Sequence, residues 1–300
     1  MERERWLELS QAISEVDARW PRCRRHTHPT ARIARVYCWA VAHDRSISWA
    51  CEAENWPPAS RPQLLPNQST LSRRTRGKDF DHFLRAVGKR LDGKVTATTL
   101  LKRIDGKPLP VAAHSGDRDA TWGKGAGKID RGYKLHAMWS NRPMPLQWAI
   151  TPLHVPETRI ARRMIRRLSG ASAGAGAGYL LADSLYDSNE LHDLTHQANH
   201  QLVAPRQKPG RGLGHCAHSP WRLRCIDMLE PPCDHNPFGP TLHNLRRQIE
   251  RDFGNLTSYG GGLTHLPPWV RRIWRVRLWV QVKLLLNAAR IRCRRRRVAA

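Results

Sequence analysis

The chain has 300 residues, enough for a sizeable core and a smaller accessory domain. Its 51 Lys and Arg outnumber 25 Asp and Glu, giving a formal net charge of +26. That surplus points to a polyanionic partner, since many phosphates can be neutralised with release of counterions, and an apolar content of 40% excludes an unfolded polyelectrolyte.

Other classes drop out early. Seven scattered cysteines do not make a disulfide framework, and a reduced, intracellular setting is expected. The start, MERERWLELS, is charged from its second residue and lacks a signal core. The apolar stretch from Trp269 to Ile291 carries Arg271, Arg272, Arg275, Arg277 and Lys283, which excludes a simple membrane span.

Residues 1–95 are predicted to form a basic helical domain. Helical apolar spacing runs through 31–43, and a second helix over 46–57 is expected to start at a Ser46 cap and end at Pro57. A Pro-Asn turn then leads into 65–76, with Ser69 or Thr70 as the expected cap. A short helix, a turn and an Arg-rich second helix suggest a helix-turn-helix. Ser69 and Thr70 would touch base edges, and Arg73, Arg74 and Arg76 would grip phosphates. A capped surface helix in a small bundle fits the same residues. A further helix is expected over 78–91.

From about residue 96 the pattern changes, and 96–292 is expected to be one catalytic domain followed by a frayed basic tail, 293–300. Residues 98–113 read as a strand ending near Asp105, a turn at Gly106 and a second strand. A Gly-rich loop over 114–130 precedes strands at 131–140 and 145–152. A helix follows at 156–170, then a flexible connector (171–178), a buried-type strand ending in Asp183, a helix at 188–198 and a strand at 200–206. Residues 207–240 read as irregular. Two helices are expected last, at 241–257 and 267–292. Early strands followed by alternation predict an α/β mixed sheet flanked by helices.

Three acidic residues stand out on these elements. Asp105 and Asp183 each close an apolar, strand-like run, where open α/β sheets bind ligands. Glu250 lies on a helix whose expected core stripe is Leu242, Leu245, Ile249, Phe253 and Leu256. Helical spacing puts Arg246 and Arg247 beside it, to grip phosphates or to pair with the carboxylate. Magnesium takes oxygen ligands and keeps several waters, so a few rigid carboxylates plus substrate oxygens complete its shell. Two such ions suit in-line phosphodiester chemistry.

The segments IDGKPLPV, GYKLHAMWS with PLQWAITPLHVPET, LADSLYDS and LRRQIERDFGNL make residues 98–290 resemble a DDE transposase of the bacterial insertion-sequence families numbered four and five. The resemblance implies a ribonuclease-H-like catalytic domain with Mg²⁺ (or Mn²⁺) as cofactor, two ions being expected. It implies Asp105, Asp183 and Glu250 as the metal-binding triad, and cleavage and strand transfer of double-stranded DNA at element ends and target. A homodimer in a bacterial, nucleoid-associated setting follows, with no membrane partner. The helix signature of the family numbered four has Tyr, Arg, Glu and Lys at fixed spacing. Arg246 and Glu250 fit it, whereas His243 and Thr257 replace the Tyr and the Lys, which favours the family numbered five or a divergent branch. Lys134, on the third strand, is a candidate to supply the missing charge.

Three rival readings remain open. His215, Cys216, His218, Cys225, Cys233 and His235 offer zinc-type ligands, yet no CxxC pair exists among them. A DNA-binding protein without catalysis, or a nuclease without strand transfer, would share the same basic composition.

Overall fold

The computed structural model describes all residues except 1–2, 23–25, 94–99, 171–176, 210, 214–216, 231–237, 259–261, 264 and 300. Five helices come first: α1 (Arg3–Asp17), α2 (Thr30–Ala42), α3 (Ile47–Ala50), α4 (Gln68–Thr75) and α5 (Lys78–Asp92). Strands β1 (Leu101–Pro110), β2 (Thr121–Lys124), β3 (Ile129–Trp139) and β4 (Gln147–Pro152) follow. Helix α6 (Glu157–Gly170), strand β5 (Gly178–Leu181), helix α7 (Asn189–Gln197) and strand β6 (His200–Val203) alternate after them. The chain ends in α8 (Pro220–Leu229), α9 (Phe238–Asn244), α10 (Arg247–Ser258) and α11 (Ile273–Ala299). No described helix is long and apolar enough to cross a membrane.

The chain divides into two compact units, residues 1–94 with 255–300, and residues 95–254. The last helix therefore joins the N-terminal unit, not the catalytic one as expected. The reason is its packing: α11 lies against α1, α2 and α5. Nor is the basic tail frayed. Helix α11 runs to Ala299 because its arginines meet acids on α1: Arg292 and Arg296 pair with Glu8 at 2.8 and 2.7 Å, and Arg297 pairs with Glu4.

The helical unit is built on tryptophan. Trp39 and Trp56 stack with centroids 4.6 Å apart, and Trp6 meets both edge-on. Trp56 and Trp39 donate their indole N–H groups to the carbonyls of Ala50 and Asn55. These anchors hold the chain after α3 in short 3-10 turns at 53–55 and 58–60, so the helix expected over 46–57 is one turn long. Ser46 caps it as expected, accepting from the Trp49 N–H. Helix α4 is capped by Asn67, whose side chain accepts from the Thr70 N–H at 2.8 Å, and not by Ser69 or Thr70.

In the second unit the sheet order is β2-β3-β1-β5-β6, with β4 also paired to β3. Strands β1, β3 and β4 are antiparallel, while β1, β5 and β6 are parallel. This is the ribonuclease-H-like mixed sheet. Alternation along the strands covers its two faces separately. Ile104, Leu180 and Leu202 pack with residues of α6 and α7, including Met164, Ile165 and Leu191. Leu181 and Val203 pack on the other side with Leu242, Met228 and Leu229 from α9 and α8.

Strand β1 differs from expectation, because it does not stop at Asp105. It runs unbroken through Gly106, with Asp105 opposite Ala137 and Gly106 opposite His136 on β3. Beyond Arg103 it has no β5 partner, so alternate N–H groups face an open edge. Gly106 uses that freedom by donating to the Asp105 carboxylate at 2.8 Å. Pro108 and Pro110, spaced two and four residues on, sit where no ladder donor is needed.

Two further expectations change. Part of the stretch 207–240 is helical, since Pro220 at the first helical position starts α8, and Arg222 ties it to Asp187 with bonds of 2.6 and 2.7 Å. Burial pushes the Asp187 carboxyl up, but Arg222 and His192 more than offset this and hold it well below the usual range. The helix expected over 241–257 is broken between Asn244 and Arg247 into α9 and α10. Leu245 at the break is exposed, while Leu242, Ile249, Phe253 and Leu256 are buried as expected.

Candidate active site

The register of the two central parallel strands places the first two acids. The last β1–β5 pair is Arg103 with Leu181. Asp105, still within β1, and Asp183, just past the carboxyl end of β5, each lie two residues beyond it. Asp183 then turns the chain, its side chain accepting from the Leu185 N–H at 2.9 Å.

Both carboxyls are hard to ionise. Burial pushes Asp105 up to about 6, aided by the negative charges of Asp183 and Glu157 and opposed by the Gly106 N–H and Arg246. Burial and Glu157 likewise raise Asp183. Two aspartates in this condition create a need for positive charge.

Arg246 supplies part of it. Its Nη2 donates to Asp105 Oδ2 at 3.3 Å, and its Nη1 lies 3.6 Å from Glu250 Oε1. Glu250 is thus joined to Asp105 through one guanidinium, with its own side chain 65% exposed. Helix α10 is docked from a second point, where Arg103 donates to Asp252 at 3.3 Å and to the Ser140 carbonyl at 3.1 Å. His243, in place of the signature Tyr, stands 3.3 Å from the Ala182 carbonyl beside Asp183. Arg103 is buried and Asp252 nearly so, hence breaking their pair strands a charge. Arg103→Met is expected to lower stability by about 3 kcal/mol in chemical denaturation. A loss below about 1 kcal/mol would show that α10 does not depend on this anchor.

The remaining candidates lie as follows. Lys134 is committed to Glu157 at 2.9 Å, both side chains being largely buried. Arg247 is exposed at the start of α10. In the helical unit, Arg73 is exposed, whereas Arg74 donates to the His28 carbonyl and the Thr30 hydroxyl, and Arg76 lies over the Trp274 ring. Ser69 donates to the capping Asn67, and Thr70 supplies the capped N–H. Of the candidate zinc ligands, His215, Cys216, Cys233 and His235 lie outside the described residues. Cys225 is buried with its thiol on the Ala204 carbonyl, and His218 bonds the Leu213 carbonyl.

Glu157 was missed from the sequence. An acid in the first turn of a helix has an ordinary explanation in the helix dipole, and nothing in PETRIAR marks it further.

The donor set suits a hard divalent cation. Asp105, Asp183 and Glu250 offer only carboxylate oxygen, and the two buried aspartates need a compensating charge. Among the described residues no three His, Cys, Asp or Glu side chains converge closely enough to enclose a metal ion alone. Magnesium retains waters and accepts substrate oxygens, so an open set of this kind is compatible with it.

A mixed sheet with Asp105 and Asp183 just beyond its last β1–β5 pair, and a basic helix bearing Glu250 tied to Asp105 through Arg246, has the ribonuclease-H-like arrangement. The chain belongs to the family described as Transposase DDE domain, which matches residues 101–272, more than half of its length. Among solved structures, the chain is similar to a piggyBac transposase synaptic complex with hairpin DNA, at 12% identity and a TM-score of 0.36. That match covers 70% of this chain and 50% of the other, so the chain spans about half the length of that relative. No curated protein matches the sequence.

Proposed function

We propose that the chain binds the ends of an insertion sequence, cuts there and joins the ends to target DNA. The observation that supports this reading is that Asp105 and Asp183 each lie two residues beyond the last β1–β5 pair, close enough for the charge of one to raise the other. With Glu250 they would hold Mg²⁺ or Mn²⁺, two ions in the working complex. When bound, the metal supplies Lewis-acid activation of a water or hydroxyl and charge stabilisation of the leaving oxygen. The chain's own residues orient and compensate. Arg246 steadies Asp105 and Glu250, and exposed Arg247 offers a cation to substrate phosphate. Joining two ends calls for two chains, so a homodimer is the expected active form. His243 and Thr257, departing from the signature of the family numbered four, favour the insertion-sequence family numbered five or a divergent branch.

The helical unit provides double-stranded DNA affinity. Arg73 and Arg76 would neutralise phosphates from α4, with Ser69 and Thr70 near the bases. Arg74 instead serves the unit internally. Each of Arg73→Ala and Arg76→Ala is expected to weaken binding and lower the slope of log affinity against log salt by about one. Arg74→Ala should act through stability. Equal slopes for Arg73→Ala, Arg76→Ala and the parent would remove α4 from the interface.

The decisive experiment is incubation of the purified chain with element-end DNA and Mg²⁺. Nicked and joined products support transposition. Nicked DNA alone supports a nuclease, and tight binding without cleavage supports a DNA-binding protein.

A further inference from the structure

Two side chains from two different elements converge on the carboxylate of Glu157, close to Asp105. Glu157 opens α6, Lys134 lies on β3, and Tyr186 ends the short turn that starts after Asp183. Glu157 Oε1 accepts from Lys134 Nζ at 2.9 Å, and Oε2 accepts from the Tyr186 hydroxyl at 3.0 Å. Tyr186 is 1% exposed and belongs to the core under α6.

Gly106 shows how close this carboxylate comes to the aspartates. A Cβ on residue 106 would stand 2.8 Å from both Cδ and Oε2 of Glu157. The strand residue next to Asp105 therefore carries no side chain, and Glu157 fills the space. A buried ion pair here is poor value as a source of stability, since apolar side chains of similar volume would serve as well or better. Its hydrogen bonds do something apolar packing would not: they link β3 to the turn that carries Asp183.

We propose that Glu157 is a positioning residue. Its carboxylate, braced by Lys134, fixes Tyr186 and so keeps the 183–186 turn, and Asp183 with it, level with Asp105. This rests on the reading that the two aspartates hold the divalent ion. Both Glu157 oxygens are already occupied, so it acts through Asp183, as partners behind metal ligands generally do.

The test is Mn²⁺ binding to the full chain, read by electron paramagnetic resonance, beside the thermal midpoint in chelator and the Mg²⁺ needed for half-maximal cleavage. Tyr186→Phe keeps the ring and its packing and removes only the donor. Glu157→Gln removes the charge, and Gly106→Ala keeps every donor and acceptor but crowds the carboxylate. Each is expected to weaken Mn²⁺ affinity by about tenfold or more and to raise the Mg²⁺ requirement by a similar factor. Saturating metal should restore much of the turnover of Tyr186→Phe. Unchanged Mn²⁺ affinity in Tyr186→Phe and Glu157→Gln, with loss in Asp183→Asn, overturns the positioning role and leaves the site intact. A parent chain whose Mn²⁺ binding ignores Asp183→Asn fails the underlying site reading instead.

Discussion

Asp183→Asn is expected to lower metal-dependent cleavage of element-end DNA by about 10³-fold or more, while affinity for that DNA stays largely unchanged. The magnitude follows from the site's charge balance. Removing one group that stabilises developing charge in a preorganised, water-poor site commonly costs about 10²–10³-fold. Here the same change also removes a proposed metal ligand. The separation of binding from chemistry follows from the division of labour. Asp183 lies at the end of β5, whereas the expected phosphate contacts are the exposed arginines of α4 and α10. A neutral residue at 183 even reduces repulsion of DNA. Glu250→Gln should give the same outcome, because Glu250 is solvent-exposed and contributes little to folding. The measurement is product yield against Mg²⁺ concentration, with binding followed separately by fluorescence anisotropy in chelator. Cleavage by Asp183→Asn at the parent's rate, in preparations free of host nuclease, would remove Asp183 from the site.

Much of this was legible in the residues, and the failures have physical causes. The apolar run ending in Asp183 announced a buried strand, and the strand-then-alternation order announced the mixed sheet. Asp105 was assigned correctly to the first strand but with a turn after it. The sequence Asp-Gly usually marks a turn. Here the glycine serves a close approach by Glu157, and only the β3 register reveals that. Helix α8 was hidden by its own Pro220, because a proline among other prolines and glycines reads as loop until it is known to occupy a first helical turn. The membership of α11 was invisible for a different reason. Its ion pairs to Glu4 and Glu8 join residues near opposite ends of the chain, and no local pattern encodes such pairings. Lys134 shows the same limit at the site. Its position suggested a substrate contact, while its partner Glu157 comes from another element.

Asp105→Asn is expected to make the metal-free chain more stable at neutral pH while ending its cleavage activity. The sign follows from the raised carboxyl. Asp105 titrates at about 6 in the folded chain against an ordinary value of 3.8. Between those values the folded state binds more protons than the unfolded one, so stability falls as pH rises. The contribution is fully present below the unfolded value and is lost as pH rises through about 6. A difference of about two units corresponds to about 3 kcal/mol, and the side chain is only 17% exposed, so little is lost to solvent screening. Asparagine keeps an acceptor for the Gly106 N–H and carries no charge to bury. Its variant should therefore exceed the parent by on the order of 2 kcal/mol at pH 8 and match it near pH 4. Divalent metal reverses the order. Bound metal favours the ionised aspartate and stabilises the parent in proportion to ligand concentration over affinity, an effect the variant lacks. Thermal midpoints at pH 4 and pH 8, each with chelator and with excess Mg²⁺, test both halves. If the variant is the less stable at pH 8 in chelator, Asp105 is held by favourable contacts rather than penalised by burial. If Mg²⁺ raises both midpoints equally, the ion binds elsewhere, and Asp105 and Asp183 are not its site.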